Sequence, residues 1–266
     1  MNLLDTVVMR GLVRQGALTP EDKALLLGLE LETRRVSASE VLWYEDTDAD
    51  LFCVLKEGWA YSYRHLENGS KQILKLYLPG DIIGLRDFGF SRRLAGVAMI
   101  NEGVVCPFSY QQLLELFGRS ALAVGLMATA VRQQALLTER LVYLGRHDAQ
   151  ERLAHFLYEL YLRLKRIGAV EDNSFLMPLS QEQIGDALGL SPVHVSRTFS
   201  MLRDDGLVTR DRQQITLPDP EALAQLVEFD DNYINESLPT DLSVLSIASL
   251  AVDNRKEPGV HSTVDK

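Results

Sequence analysis

The sequence predicts an α+β chain with its strands first: a small β-barrel or β-sandwich, then one long helix, then a winged helix-turn-helix. Three observations carry this. Over residues 35–109, short apolar runs alternate with glycine-bearing turns. Over residues 121–144, apolar side chains recur at helical spacing. Over residues 179–207, two helical patterns, each with its own cap, meet at a glycine.

Ahead of the strands, Thr19-Pro20-Glu21-Asp22 opens a helix, with Thr19 as N-cap, Pro20 in the first turn and two acids at the positive end of the dipole. The clearest strand runs are VLWYE, LFCVL, GWAYSYRHL, KQILKLYL and GVAMI. Asn68-Gly69 lies between two of them and predicts a two-residue hairpin turn in which both residues accept positive φ. Pro79-Gly80-Asp81 with Gly84 marks a second tight corner.

Ser109 and Gln112 form a capping box for a short helix that Gly118 interrupts. In the long helix that follows, Leu126, Ala130, Gln133, Leu137, Leu141 and Leu144 fall at alternating three- and four-residue steps. Such a stripe can pack on the chain's own barrel or on a second copy, and the spacing favours a homodimer seam. Gly145-Arg146-His147 ends the helix. Asp148 with Glu151 caps the next one, whose apolar face is Leu153, Phe156, Leu157, Leu160 and Leu164. The predicted division is 1–118, an N-terminal helix and β domain; 119–146, a dimerisation helix; 147–218, the winged helix-turn-helix; and 219–266, an acidic extension. The break near residue 146 reads as a hinge.

The helix-turn-helix is the densest signal. Ser180 and Gln183 form a capping box, with Leu179 and Ile184 placed as a hydrophobic staple. Gly189 ends that helix in a left-handed position, and Ser191-Pro192 starts the next. Val195, Phe199 and Leu202 form the inner stripe of this second helix; Val193, Ser196, Arg197 and Ser200 form the outer one. The outer stripe is small and polar, and 192–203 carries two arginines and no acid. Such a helix fits the DNA major groove, where small side chains allow close approach and Arg197 can donate two hydrogen bonds to a guanine edge. Ser180, Gln181, Ser191 and His194 lie at the helix starts, where they can meet the duplex. LVTR and QITL then read as a β-wing with Arg210 and Arg212 at its tip, placed for phosphate.

The formal net charge of −10 argues against DNA only if it is evenly spread. Residues 219–266 hold ten of the 37 acids and three of the 27 basic residues, so 1–218 is close to balanced at 27 against 24. MNLLDTVVMRGLVRQG has too short an apolar core for a signal peptide, and no run approaches a membrane span, which predicts a cytoplasmic protein with no membrane association. Cys53 and Cys106 are too few for a disulfide framework or a four-thiolate cluster, and Cys53 in LFCVL reads as a small buried residue. His65 and Cys53 are weak candidates for haem ligands. Asn68-Gly69-Ser70-Lys71 lacks the first glycine of a phosphate loop. His155 reads as packed or solvated. With no catalytic or metal constellation on a shared element, the sequence does not predict an enzyme.

These residues resemble the CRP/FNR superfamily of bacterial transcription regulators over about residues 18–218. The string Ser191-Pro-Val-His-Val-Ser-Arg197 followed by Leu202-Arg203-Asp-Asp-Gly-Leu207 is most similar to its FNR and FixK branches, and Leu78-Pro79-Gly80-Asp81 with Gly84 resembles its β-roll corner. The resemblance implies a double-stranded, cyclic-nucleotide-binding-like β-roll and a homodimer joined through the long helix. It also implies a two-fold symmetric site on double-stranded DNA and contact with RNA polymerase. In that branch a Glu-x-x-Ser-Arg pattern reads the half-site. Ser196 and Arg197 match its last two positions, whereas Val193 stands at the glutamate. Valine offers apolar contact, for example to a thymine methyl, where glutamate accepts from cytosine.

Two departures concern the input. Cyclic-nucleotide binders of the family place Glu after the corner glycine and an Arg-Ser or Arg-Thr pair further on. Here Gly84 is followed by Leu85, the pair reads as Leu94-Ala95, and Arg92 and Arg93 lie out of register. No tight cyclic AMP binding is expected. The cysteine cluster of the family's iron–sulfur sensors is also missing, so no cofactor is predicted and no effector is named. The rival reading is a sensory or scaffold protein of the same fold whose recognition helix no longer reads DNA; Val193 and the acidic balance are its support.

Overall fold

The computed structural model describes residues 6–12 and 18–235. Two helices lead, α1 (Val7–Leu12) and α2 (Pro20–Gly28). Thr19 caps α2 as its sequence requires: the Thr19 hydroxyl accepts from the Asp22 amide at 3.1 Å, and Asp22 Oδ2 accepts from the Thr19 amide at 3.1 Å.

Eight strands follow: β1 (Arg34–Val36), β2 (Val41–Trp43), β3 (Leu51–Glu57), β4 (Ala60–His65), β5 (Lys71–Tyr77), β6 (Ile82–Ile83), β7 (Gly96–Met99) and β8 (Gly103–Ser109). They form two antiparallel four-stranded sheets, β1-β8-β3-β6 and β2-β7-β4-β5. Leu55 and Val105 from the first sheet and Ala60, Val97 and Met99 from the second make the core between them. The period of two sends Phe52 and Val54 to the other face of the first sheet, where the leading helices cover them. β1, β6 and β8 fall outside the clearest sequence runs. β8 contains Pro107, which is tolerated because β1 pairs only with Gly103, Val104 and Val105, leaving that stretch of β8 with β3 alone.

The Asn68-Gly69 hairpin differs from its prediction. Only Gly69 has positive φ, at 81°. The Gly69 amide donates to Leu66 O at 2.9 Å and the Leu66 amide to Ser70 O at 2.9 Å, while Asn68 Oδ1 accepts from the Ser70 amide at 3.0 Å. The connection is thus a longer loop, a turn closed by one left-handed glycine, and the Asn68 side chain replaces the second positive-φ residue.

α3 (Tyr110–Phe117) and the long α4 (Ser120–Arg146) come next. α4 ends within the expected Gly145-Arg146-His147 stretch: Gly145 and Arg146 are its last residues and His147 leaves it in extended backbone. The predicted seam divides. Leu126 is 1% exposed and packs on the first sheet's helical cover. Gln133 and Leu144 are half-buried, whereas Ala130, Leu137 and Leu141 are exposed. Met127, Val131 and Val142 join the exposed set, so the open apolar stripe is rotated from the predicted one. The reason is that α4 begins as part of the N-terminal domain's own cover.

The remaining elements are α5 (Ala149–Arg166), β9 (Ser174–Leu176), α6 (Gln181–Leu188), α7 (Pro192–Asp204), β10 (Thr209–Asp211), β11 (Gln214–Thr216), α8 (Pro220–Leu226) and α9 (Asn232–Asn235). The five predicted apolar residues of α5 are all buried. β9, too short to show a strand period, completes a sheet in the order β10-β11-β9. One continuous core joins the outer face of the second sheet (Trp59, Tyr61, Ile73, Leu76) to the interior of the helix-turn-helix (Ile184, Val195, Leu202).

The start of the acidic extension is docked. α8 lies on α5, and the Tyr143 hydroxyl donates to Val227 O at 2.6 Å. His155 stacks on Tyr143 at 3.6 Å and meets Phe229 in a tilted contact at 4.7 Å, with the Tyr233 hydroxyl 3.3 Å from its Nε2. The apolar run LSVLSIASLAV lies outside the described residues. Among the described residues no single helix is long and apolar enough to cross a membrane.

Candidate nucleic-acid interface

The helix-turn-helix is built from the caps upward. The Ser180 hydroxyl accepts from the Gln183 amide at 3.1 Å and Gln183 Oε1 accepts from the Ser180 amide at 2.9 Å. Leu179 and Ile184 are buried together in the core. Gly189 ends α6 at φ 67°, and the Ser191 hydroxyl accepts from the His194 amide at 3.3 Å to start α7.

A second glycine governs the turn. A Cβ on Gly185 would lie 2.3 Å from Leu190 O, so α6 and the turn approach each other as only glycine permits. The Gly185 carbonyl accepts from the Gly189 amide and, at 3.0 Å, from the Leu190 amide. No sequence signal marked this position, which looks like one more residue of a helix.

α7 presents the two faces its periodicity requires. Val195 and Leu202 are fully buried and Phe199 nearly so. Val193, 62% exposed, stands on the outer face with Ser196 and Arg197, and Ser200 is half-buried on the same side. Arg197 makes no hydrogen bond or ion pair among the described residues, leaving its guanidinium open for a ligand. His194 is exposed, with Nδ1 3.1 Å from the Ser191 hydroxyl. Ser180 and Gln181 are exposed at the start of α6.

Between α7 and the wing runs a trough lined by Gln181, Ser196, Ser200, Arg203, Arg210 and Arg212. Its charged lining is all basic. Arg203 was not singled out from sequence, although it follows Ser196 and Ser200 at i+7 and i+3 on one face. The two wing arginines part company. Arg212 sits at the tip in a left-handed conformation, φ 54°. Arg210 is not at the tip: it belongs to β10, half-buried, with its guanidinium 4.7 Å over the Phe199 ring, Nε donating to Arg212 O at 3.1 Å and Nη2 to Leu179 O at 3.4 Å. Burial lowers its pKa. Arg210 therefore braces the wing against α6 and α7.

At the β-roll corner, Gly84 has φ 96°. Arg92 is exposed and donates to Asp46 O at 2.8 Å. Arg93, which the sequence placed out of register, turns inward. It is 3% exposed, pairs with Asp87 at 3.4 Å, donates to Leu51 O and lies 4.1 Å over the Trp43 ring. Asp87 also accepts from the Leu94 amide at 3.2 Å. The inward cation is thus already neutralised. Cys53 and Cys106 are buried and unpaired, and burial pushes the Cys53 thiol up to about 11.

Comparison with known proteins agrees with this geometry. Residues 33–120 match the model of the cyclic nucleotide-binding domain, and residues 151–226 that of the Crp-like helix-turn-helix domain. The chain is 31% identical to the transcriptional activatory protein AadR of Rhodopseudomonas palustris, over 80% of this chain and 88% of that protein. It is 32% identical to the nitrogen fixation regulation protein FixK of Bradyrhizobium diazoefficiens, over 76% of this chain and 87% of that one. Among solved structures, FixK2 from Bradyrhizobium japonicum superposes with a TM-score of 0.67 at 27% identity, covering 73% of this chain and 96% of that one. A β-roll, a long helix and a winged helix-turn-helix with an open basic reading face, on a chain this similar to regulators over about four-fifths of its length, make it a member of the CRP/FNR family of DNA-binding transcription regulators.

Proposed function

We propose that this sequence-specific regulator works as a homodimer on a two-fold symmetric site, with α7 of each protomer in a major groove. The observation that carries the reading is the outer face of α7: Arg197 without a hydrogen-bond or ion-pair partner among the described residues, flanked by Ser196 and Val193, beside a trough whose charges are all basic. In this reading Arg197 donates to a guanine edge, and Ser196 and Ser200 contact base edges or phosphate. Val193 meets an apolar base feature. Ser180, Gln181, Ser191 and His194 position the helix starts on the backbone. Arg212 contacts phosphate at the wing tip and Arg210 holds the wing in place. The protomers join through the exposed stripe of α4, with Ala130, Leu137 and Leu141 kept from the predicted seam and Met127 and Val131 added.

RNA polymerase is the further partner the family implies. The neutralised Arg93 and the Leu85 after Gly84 support regulation without cyclic AMP, and two buried cysteines support regulation without an iron–sulfur cluster. A titration of labelled duplex across salt concentrations tests the proposal. The wild type should separate its site from a scrambled duplex, and Arg197→Ala should lose about 1–3 kcal/mol of that discrimination. Equal affinity of the wild type for both duplexes would favour the scaffold reading instead.

A further inference from the structure

We infer that residues 227–235 form a strap that fixes the angle between α4 and α5, and that Phe229 and Tyr233 are positioning residues which set the half-site spacing the dimer accepts. The spacing role rests on the proposed dimeric regulator. The strap residues lie beyond the stretch matched to the helix-turn-helix domain, and none of them belongs to the reading face.

The strap starts where the wing ends. β11 leads into α8, whose cap Asp219 accepts from the Glu221 amide at 3.1 Å and the Ala222 amide at 3.0 Å. Past the end of α8, Glu228 takes a left-handed conformation, φ 46°. The Glu228 amide donates to Gln225 O at 3.2 Å and the Phe229 amide to Ala224 O at 3.0 Å. This pair of bonds is the left-handed helix stop that glycine usually supplies, here built on an exposed glutamate. It turns the chain back along α4 and α5.

Three ties then bind both helices. Val227 O accepts from the hydroxyl of Tyr143, on α4, at 2.6 Å. Phe229 packs on His155 and Tyr158 of α5, with ring centroids 4.7 and 4.8 Å apart, and the Tyr233 hydroxyl lies 3.3 Å from His155 Nε2. Arg166, the last residue of α5, donates to Ile234 O at 2.8 Å, while α9 lies against α4. Val227 and Ile234 are both buried. From His155 to Arg166 is about 16 Å of helix at 1.5 Å per residue. The Arg140–Glu159 pair also crosses the two helices, at 3.2 Å. A single pair lets the helices pivot about it; ties spread along three turns of α5 do not.

The angle matters because α4 carries the seam and α5 leads the helix-turn-helix. Their connection is His147 and Asp148, both in extended backbone, and a hinge needs no more than that. In a two-fold dimer a pivot there moves both copies of α7, so their separation changes twice over. Each base pair added between half-sites shifts the second by about 3.4 Å and turns it by about 35°. A pinned hinge fits one spacing, and both halves cannot bind at once where the geometry forbids it. A loose hinge tolerates the neighbouring spacings.

The test is an anisotropy titration of full-length protein on labelled duplexes. Each carries two copies of the half-site selected from a random pool, at the selected spacing or at one or two base pairs more or fewer. The wild type should lose about tenfold or more in affinity when the spacing changes by one base pair. Phe229→Ala combined with Tyr233→Ala should reduce that loss to about threefold or less, with the base preference inside each half-site unchanged. Glu228→Pro, at an exposed position, cannot make the left-handed turn and should flatten the spacing profile in the same way. Glu228→Gly makes that turn freely and should keep the wild-type profile. A wild-type profile in the double variant with its thermal transition intact overturns the strap. Should the double variant lose that transition, a wild-type profile in Glu228→Pro overturns it instead. A wild type that binds its half-sites equally at every spacing overturns the positioning role alone. A wild type that recognises no half-site refutes the regulator reading, and the spacing role falls with it.

Discussion

Gly185→Ala should damage the helix-turn-helix although the substitution lies inside a helix. Helix propensity alone predicts a gain of about 1 kcal/mol. The structure predicts the opposite sign. The added Cβ would sit 2.3 Å from Leu190 O, and what it meets is backbone rather than the end of a flexible side chain. Relief requires α6 and the turn to move apart by roughly 1 Å, and overpacking of this kind costs about 1–3 kcal/mol. The same carbonyl that caps the turn, Gly185 O, would move with it. Gly189 is the internal control. It has open space around its Cβ position and is constrained only by φ 67°. Gly189→Ala should cost about 1–2 kcal/mol, and Gly189→Asn less. Urea denaturation gives the stability change and a duplex titration gives the functional one. Gly185→Ala should lower the urea midpoint and weaken DNA binding. A midpoint equal to or above that of the wild type, with DNA binding intact, would refute the close-approach argument.

Other substitutions address the reading face, the seam and the C-terminal aromatic cluster. Val193→Glu should move the preferred base at one position of each half-site; an identical selected site would mean that Val193 touches no base. Leu141→Glu, on the exposed stripe of α4, should shift the chain to monomer in sedimentation velocity, and an unchanged dimer would place the interface elsewhere. His155 carries a pH signature. Burial lowers its pKa from 6.5 to about 4, so below pH 6.5 the unfolded chain takes up a proton that the folded chain refuses. Stability should be fully present above that pH and fall by about 3 kcal/mol as pH drops toward 4. His155→Phe, which can keep the stacking on Tyr143, should remove that part of the acid-side loss when urea midpoints are compared across pH.

The legible parts of the fold were those fixed by local chemistry. Ser180 with Gln183, Gly189, and Ser191 with Pro192 state their roles within a few residues, because a cap needs only its own helix end. The same holds for Thr19 with Asp22, Ser109 with Gln112 and Asp148 with Glu151. What depends on distant partners was not legible. Gly185 matters only because Leu190 folds back over it. β9 exists only because β11 pairs with it, and Pro107 obscured β8. Of the predicted seam residues, Ala130, Leu137 and Leu141 are exposed while Leu126 is buried, since a heptad stripe does not say that the chain's own β-roll will claim Leu126. Arg93 shows the same limit: sequence register put it aside, whereas the fold turns it inward onto Asp87. Arg203 was within reach, one more step along the Ser196 and Ser200 face.

The central claim, that α7 reads DNA sequence from both halves of a symmetric dimer, is tested most directly by selecting bound duplexes from a random pool with the full-length protein. The expected result is an enriched, two-fold symmetric motif with a guanine in each half-site whose enrichment disappears in Arg197→Ala. A pool that stays random, or a motif that Arg197→Ala leaves unchanged, would contradict it.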